Sequence, residues 1–123
     1  MSQYGELYLP VRAISVPEDN DALVTIRVKD KVGDLVDISG AAEISFAVWD
    51  VPGGTLQFQK TLSGSGISIG GDNASFNFWV NDTDTVSTRL CYFEAQVTLG
   101  DGRKRTVAAG QYRAESTYTG GIV

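Results

Sequence analysis

Histidine is absent from this 123-residue chain. That removes the commonest general base, the Ser–His and Cys–His nucleophile pairs and every histidine-containing zinc site. The single cysteine, Cys91, excludes an internal disulfide and thiolate metal clusters, and fits synthesis in a reducing cytosol. It sits in an apolar alternating run, as a small buried hydrophobe would. Basic residues are few. Ten Lys and Arg against fifteen Asp and Glu leave a net charge of −5, the wrong sign for a phosphate-backbone binder, so nucleic acid is not expected as a partner. No apolar run approaches the ~18 residues of a membrane span, and no basic segment followed by an apolar stretch signals secretion. There are only three prolines, and no helical stripe of apolar residues recurs.

What is present is glycine and alternation. Fourteen glycines, about twice ordinary usage, fall mostly between apolar runs, where turns need them. Val24, Ile26 and Val28 alternate with Thr25, Arg27 and Lys29, and Ile44, Phe46 and Val48 with Ser45 and Ala47. Leu56, Phe58 and Leu62 share a phase, as do Phe76, Phe78 and Val80. Cys91, Phe93, Ala95, Val97 and Leu99 form the clearest run. Gly100-Asp101-Gly102-Arg103 then makes a hairpin turn, and residues 104–115 return as its partner strand. Val11 to Val16 is a short strand ended by Pro17. In all, seven or eight strands at spacings of ~8–12 residues predict an all-β sandwich or barrel. Without the Cys–Trp–Cys signature of antibody domains, the expectation is an Ig-like β-sandwich in architecture only. The reading divides the chain into an arm at 1–9, a sandwich at 10–115 and a flexible tail at 116–123.

Chemistry-bearing motifs are weak. The acidic residues gather in turns (Glu18, Asp19 and Asp21; Asp82 and Asp84) rather than in apolar surroundings that would raise a pKa, so an enzyme is not expected. Asn81-Asp82-Thr83-Asp84 lacks the rest of a calcium loop: Val86 and Ser87 stand where Asp or Asn and Gly are required. Asp82 or Thr83 reads instead as the cap of a single turn. No metal or cofactor site is expected. Asn73-Ala74-Ser75 and Asn81-Asp82-Thr83 match the glycosylation pattern but need a secretory route. Arg103-Lys104-Arg105 is shorter than the 5–8 basic residues of a nucleic-acid patch.

The out-of-phase aromatics are more informative. Trp49, Trp79 and Tyr92 each stand opposite a core phase and should project from outer faces, where large aromatics anchor interfaces. Either they form a protein–protein contact, or a β-bulge or the N-terminal arm buries them. The arm adds Tyr4 and Tyr8 to the interface candidates.

The segment from Asp21 to Glu115 resembles the Ig-like module of tailed bacteriophages, best known as the N-terminal domain of the upper baseplate protein. The matching stretches are VTIRVKDKVGDLVDISGAAEISFAVWD, GGTLQFQKTLSGSGISIGGDNASFNFWVNDTDT and CYFEAQVTLGDGRKRTVAAGQYRAE. Asp37-Ile38-Ser39-Gly40-Ala41 stands for the family's Asp-Leu-Thr-Gly-Ala turn, Asp84 to Leu90 for the lead-in to the last hairpin, and Gly110-Gln111-Tyr112 for its close. The chain departs from the pattern at Val32-Gly33-Asp34, a looser turn, and at Leu90-Cys91-Tyr92, which lacks the family's glycine.

The resemblance implies a non-enzymatic virion structural protein made in the host cytoplasm. Its partners would be other virion proteins, and it would form a homo-oligomer in the particle. The upper baseplate protein continues into a long fibre-like region that is not seen before Val123, so a tail or baseplate adaptor or attachment subunit acting through protein–protein contacts is expected. A capsid decoration or head-fibre protein is the alternative. A carbohydrate-binding module is a further one, which requires Trp49 and Trp79 coplanar on one face.

Deleting residues 1–9 should leave the isolated fold intact and weaken assembly, read by circular dichroism and sedimentation. A deletion that unfolds the monomer would make the arm a core strand.

Overall fold

The computed structural model describes residues 11–17, 21–30, 32–81, 84, 86 and 90–115. The expected arm (1–9, with Tyr4 and Tyr8), the tail (116–123) and the capping residues Asp82 and Thr83 lie outside the described residues. Eight strands and no helix occur among those described: β1 (Val11–Pro17), β2 (Ala22–Arg27), β3 (Glu43–Trp49), β4 (Leu56–Thr61), β5 (Ser68–Ile69), β6 (Ser75–Val80), β7 (Leu90–Thr98) and β8 (Lys104–Glu115). They form a five-stranded sheet in the order β1-β8-β7-β3-β4 and a three-stranded sheet in the order β2-β6-β5. Pairing is antiparallel except where β1 runs parallel to β8. The chain crosses between sheets at β1→β2, β2→β3, β4→β5 and β6→β7. This is an Ig-like β-sandwich.

Alternation explains the layers. On β7, Cys91, Phe93, Ala95 and Val97 are buried while the residues between them are not. β3 and β6 contribute Ile44, Phe46, Val48, Phe76, Phe78 and Val80 to the same core. Phe46 lies at its centre. Its ring centroid is 4.3 Å from Phe78 across the sandwich, 5.4 Å from Phe93, and 6.4 Å from both Phe58 and Tyr112. Aromatic pairs at these separations add about 0.5–1.5 kcal/mol each beyond their buried area.

The segment between β2 and β3 plugs the sandwich. Val36 and Ile38 point into the core, whereas Leu35 and Asp37 face solvent. The Val36 amide donates to Val28 O and that of Ile38 to Asn73 O, tying the segment to both neighbouring turns. Asp37 Oδ1 accepts from the Ser39 amide and hydroxyl and closes the turn. Asp30 Oδ1 does the same for Val32 and Asp34 around Gly33, whose φ of +93° favours glycine. The β7–β8 hairpin closes as its Asp-Gly dipeptide predicts. Gly102 takes φ +92°, Leu99 N donates to Arg103 O, and Asp101 holds Arg103 through its amide and guanidinium.

One strand phase needs correcting. The sequence groups Leu56 with Phe58. In the β3–β4 pair Val48 faces Phe58 but Trp49 faces Leu56, so Gln57 is an extra residue. The bulge turns Leu56 to the outer face, where it is 42% exposed.

Because Phe46 touches four rings, Phe46→Ala should lower the unfolding free energy by about 3–5 kcal/mol in denaturant titrations. Trp79→Ser, at an exposed position, should change it by under about 1 kcal/mol.

Candidate protein-interaction surface

Trp49 and Tyr92 are direct cross-strand neighbours on β3 and β7, facing away from the core. The bulge noted above is on β4; the β3–β7 register runs unbroken through this pair, so it does not bury Trp49. The row continues across the five-stranded sheet as Leu56, Trp49, Tyr92, Gln111 and Ala13. Leu90, two residues before Tyr92 on the same face, is 45% exposed, and Val51, just past Trp49, is 56% exposed. Trp49 and Tyr92 are half-buried. The Tyr92 phenol is pushed up from its ordinary value, first by burial and then by the charge of Glu94, which shares its face. An aromatic pair rimmed by aliphatic side chains thus occupies one half of this outer face.

Trp79 belongs elsewhere. It pairs with Leu23 on the three-stranded sheet, and each is 54% exposed. Around them the surface is polar: Thr25 Oγ1 donates to Asn77 Oδ1 at 2.6 Å, and Arg27 lies 3.7 Å from Asp72. The three aromatics expected in one contact therefore divide between opposite outer faces, because β3 and β7 share a sheet and β6 does not. The coplanar Trp49–Trp79 platform needed for a stacked sugar is not formed. Leu23, Leu56 and Leu90 complete the two patches. Leu23 and Leu90 were detectable as out-of-phase residues beside Val24 and Cys91, whereas Leu56 depended on the bulge.

Alternation and local pairing dissolve the basic triplet. Arg103 is bound to Asp101 at 2.9 Å, and Arg105 turns its Nη1 back to Lys104 O. Among the ion pairs of the described residues, Lys60 with Asp84 at 2.8 Å is the least exposed, its side chains being 15% and 14% exposed. Lys60 faces inward on the edge strand β4, opposite Phe46. Asp84 also accepts the Asn81 amide at 2.7 Å, which fastens the β6–β7 connection to the sheet edge. The phenol of the buried Tyr112 is pushed well above the usual tyrosine range, mainly by burial, with the charges of Asp84 and Cys91 adding. Cys91 is buried as the alternation implied. The arrangement locks a crossover.

No family model and no curated protein matches the chain. Among solved structures it is similar to Drosophila OTK, extracellular domains 3-5, at 14% identity and a TM-score of 0.41, over 91% of this chain and 36% of that one. The chain thus spans about a third of the length of that structure.

Tyr112 generates a pH dependence. Its folded pKa is raised, so its stabilising contribution is complete below the unfolded value of about 10 and is lost as pH rises above it. The melting temperature should fall above about pH 10, and Tyr112→Phe should fall less steeply over that range. Equal alkaline slopes would remove Tyr112 as the cause.

Proposed function

We propose that this chain is a non-enzymatic structural subunit of a tailed-phage particle, a tail or baseplate adaptor that works through protein–protein contacts. The observation that carries the binding role is the outward Trp49–Tyr92 pair with Leu56 and Leu90 beside it. Monomeric soluble domains rarely leave a contiguous aromatic and aliphatic surface open, and such patches mark interaction sites. The resemblance of Asp21 to Glu115 to the phage Ig-like module supplies the setting. The second patch, Leu23 with Trp79, gives the subunit contacts on both sides of a rigid sandwich, as a part held between neighbours needs. The catalytic classes that depend on histidine have no residue to use here.

Antibody-gold electron microscopy on purified phage particles encoding the chain tests the reading. Label at the tail or its tip is the expected result. Label spread over the head would make it a decoration or head-fibre protein, and unlabelled particles would overturn the virion assignment.

A further inference from the structure

The free edge of β2 is the long strand edge that nothing in the described structure blunts. Sheet edges are ready templates for another strand, and proteins guard them with bulges, inward charges, proline or brevity. Each of the other edges carries such a guard. β4 has the Gln57 bulge and the inward Lys60, β5 is two residues long, and β1 closes on Pro17, which has no amide. β2 pairs with β6 in an unbroken register, and its inward phase of Ala22, Val24 and Ile26 holds no charge. Val28 fixes which way its backbone groups point: its amide donates to Ala74 O, one step past the Arg27–Ser75 pair. Even-numbered residues therefore bond towards β6, and the amides and carbonyls of Leu23, Thr25 and Arg27 point away from it. Among the described residues no strand lies on that side. The core beneath is also incompletely covered, for Ala22 and Val24 are half-buried where Ile26 is buried.

We propose that β2 is a self-pairing edge, on which a second copy of this chain adds its own β2 antiparallel across a two-fold axis at Thr25. Charge names the occupant. Asp21 lies just before the strand, after Glu18 and Asp19 in the sequence, and Lys29 lies just past its end. An antiparallel copy sets the acidic start of each strand against the basic end of the other. With Thr25 opposite Thr25 of the copy, Asp21 meets Lys29, Leu23 meets Arg27, and Val24 meets Ile26 on the inner side. Asp21 and Lys29 are both exposed, and neither has an ion-pair partner among the described residues. Arg27 keeps its own Asp72 at 3.7 Å and offers its aliphatic stem to Leu23. No like charges stand opposite one another, whereas an axis at Arg27 would oppose the two guanidinium groups. A Thr–Thr pair is itself a favourable cross-strand contact. Leu23, Thr25 and Arg27 each exchange both backbone bonds with the copy, and Ala22 and Val24 gain cover. The two three-stranded sheets then merge in the order β5-β6-β2-β2-β6-β5. This goes beyond the virion reading, since it stands on the chemistry of the edge and not on the phage resemblance.

Sedimentation and amide exchange of the full chain, up to roughly 1 mM, read the result, since weak specific contacts populate in that range. The expected species at high concentration has twice the 13.2 kDa mass of one chain. Exchange at the Leu23, Thr25 and Arg27 amides should slow as concentration rises, which packing through either outer face would not cause. Thr25→Pro removes a donor that β6 does not use, and should weaken association at least about tenfold. Asp21→Lys alone and Lys29→Asp alone should each weaken it, and the double exchange should restore it. Circular dichroism checks that each variant folds, and the charge exchange decides the matter if Thr25→Pro does not. A wild type that stays monomeric at that concentration overturns the proposal. Protection of the three amides in the dilute chain, lost on deleting residues 1–9, also overturns it, because the arm is then the occupant. A dimer lost on Trp49→Ser but indifferent to the charge variants overturns it in favour of the five-stranded face. A double exchange that fails to restore association overturns the two-fold arrangement. Gold-labelled tails with a monomeric chain in solution would sink this pairing alone. A dimer with unlabelled particles would sink the virion reading alone.

Discussion

The contact of Phe46 with Phe78 is the constraint on which the sandwich depends. It joins the middle of β3 to β6 across the gap between sheets, and Phe58, Phe93 and Tyr112 gather on the same ring. An interior packed like an organic crystal tolerates little slip, so fixing one ring fixes the phase of its strand. Once Phe46 faces inward on β3, Trp49 must face outward three residues later. Phe93 facing inward on β7 does the same for Tyr92. The exposed aromatics therefore follow from the core: they are the other side of strands whose register the core holds.

Edges and crossings are managed with charge. Lys60 points inward from the edge strand β4, one of the devices that keeps a sheet edge from pairing with strangers, and Asp84 neutralises it while gripping the β6–β7 connection. Turns are closed in the same manner. Asp30, Asp37, Asp50, Asp72 and Asp101 each use a side-chain oxygen to accept a backbone amide of their own turn. Much of the acidic excess of the chain is thus spent on turn geometry. This is why Asp84, in the run that partly matches a calcium loop in the sequence, is a pairing group in the fold.

The sequence by itself determined the element types and the direction in which most side chains point. Period-two alternation in β2, β3, β6 and β7 needs no tertiary information, since successive residues on a strand face opposite sides. Asp101-Gly102 and Asp30 with Gly33 placed their turns through local backbone preference. The outward phases of Trp49, Trp79 and Tyr92 were legible for the same reason. Only the tertiary structure decided which strands share a sheet, because long-range pairing leaves no local mark. That partition sent Trp79 to one outer face and Trp49 with Tyr92 to the other. The Gln57 bulge belongs to the same class: an extra residue shows only against its partner strand, and it moved Leu56 from the expected core to the surface patch.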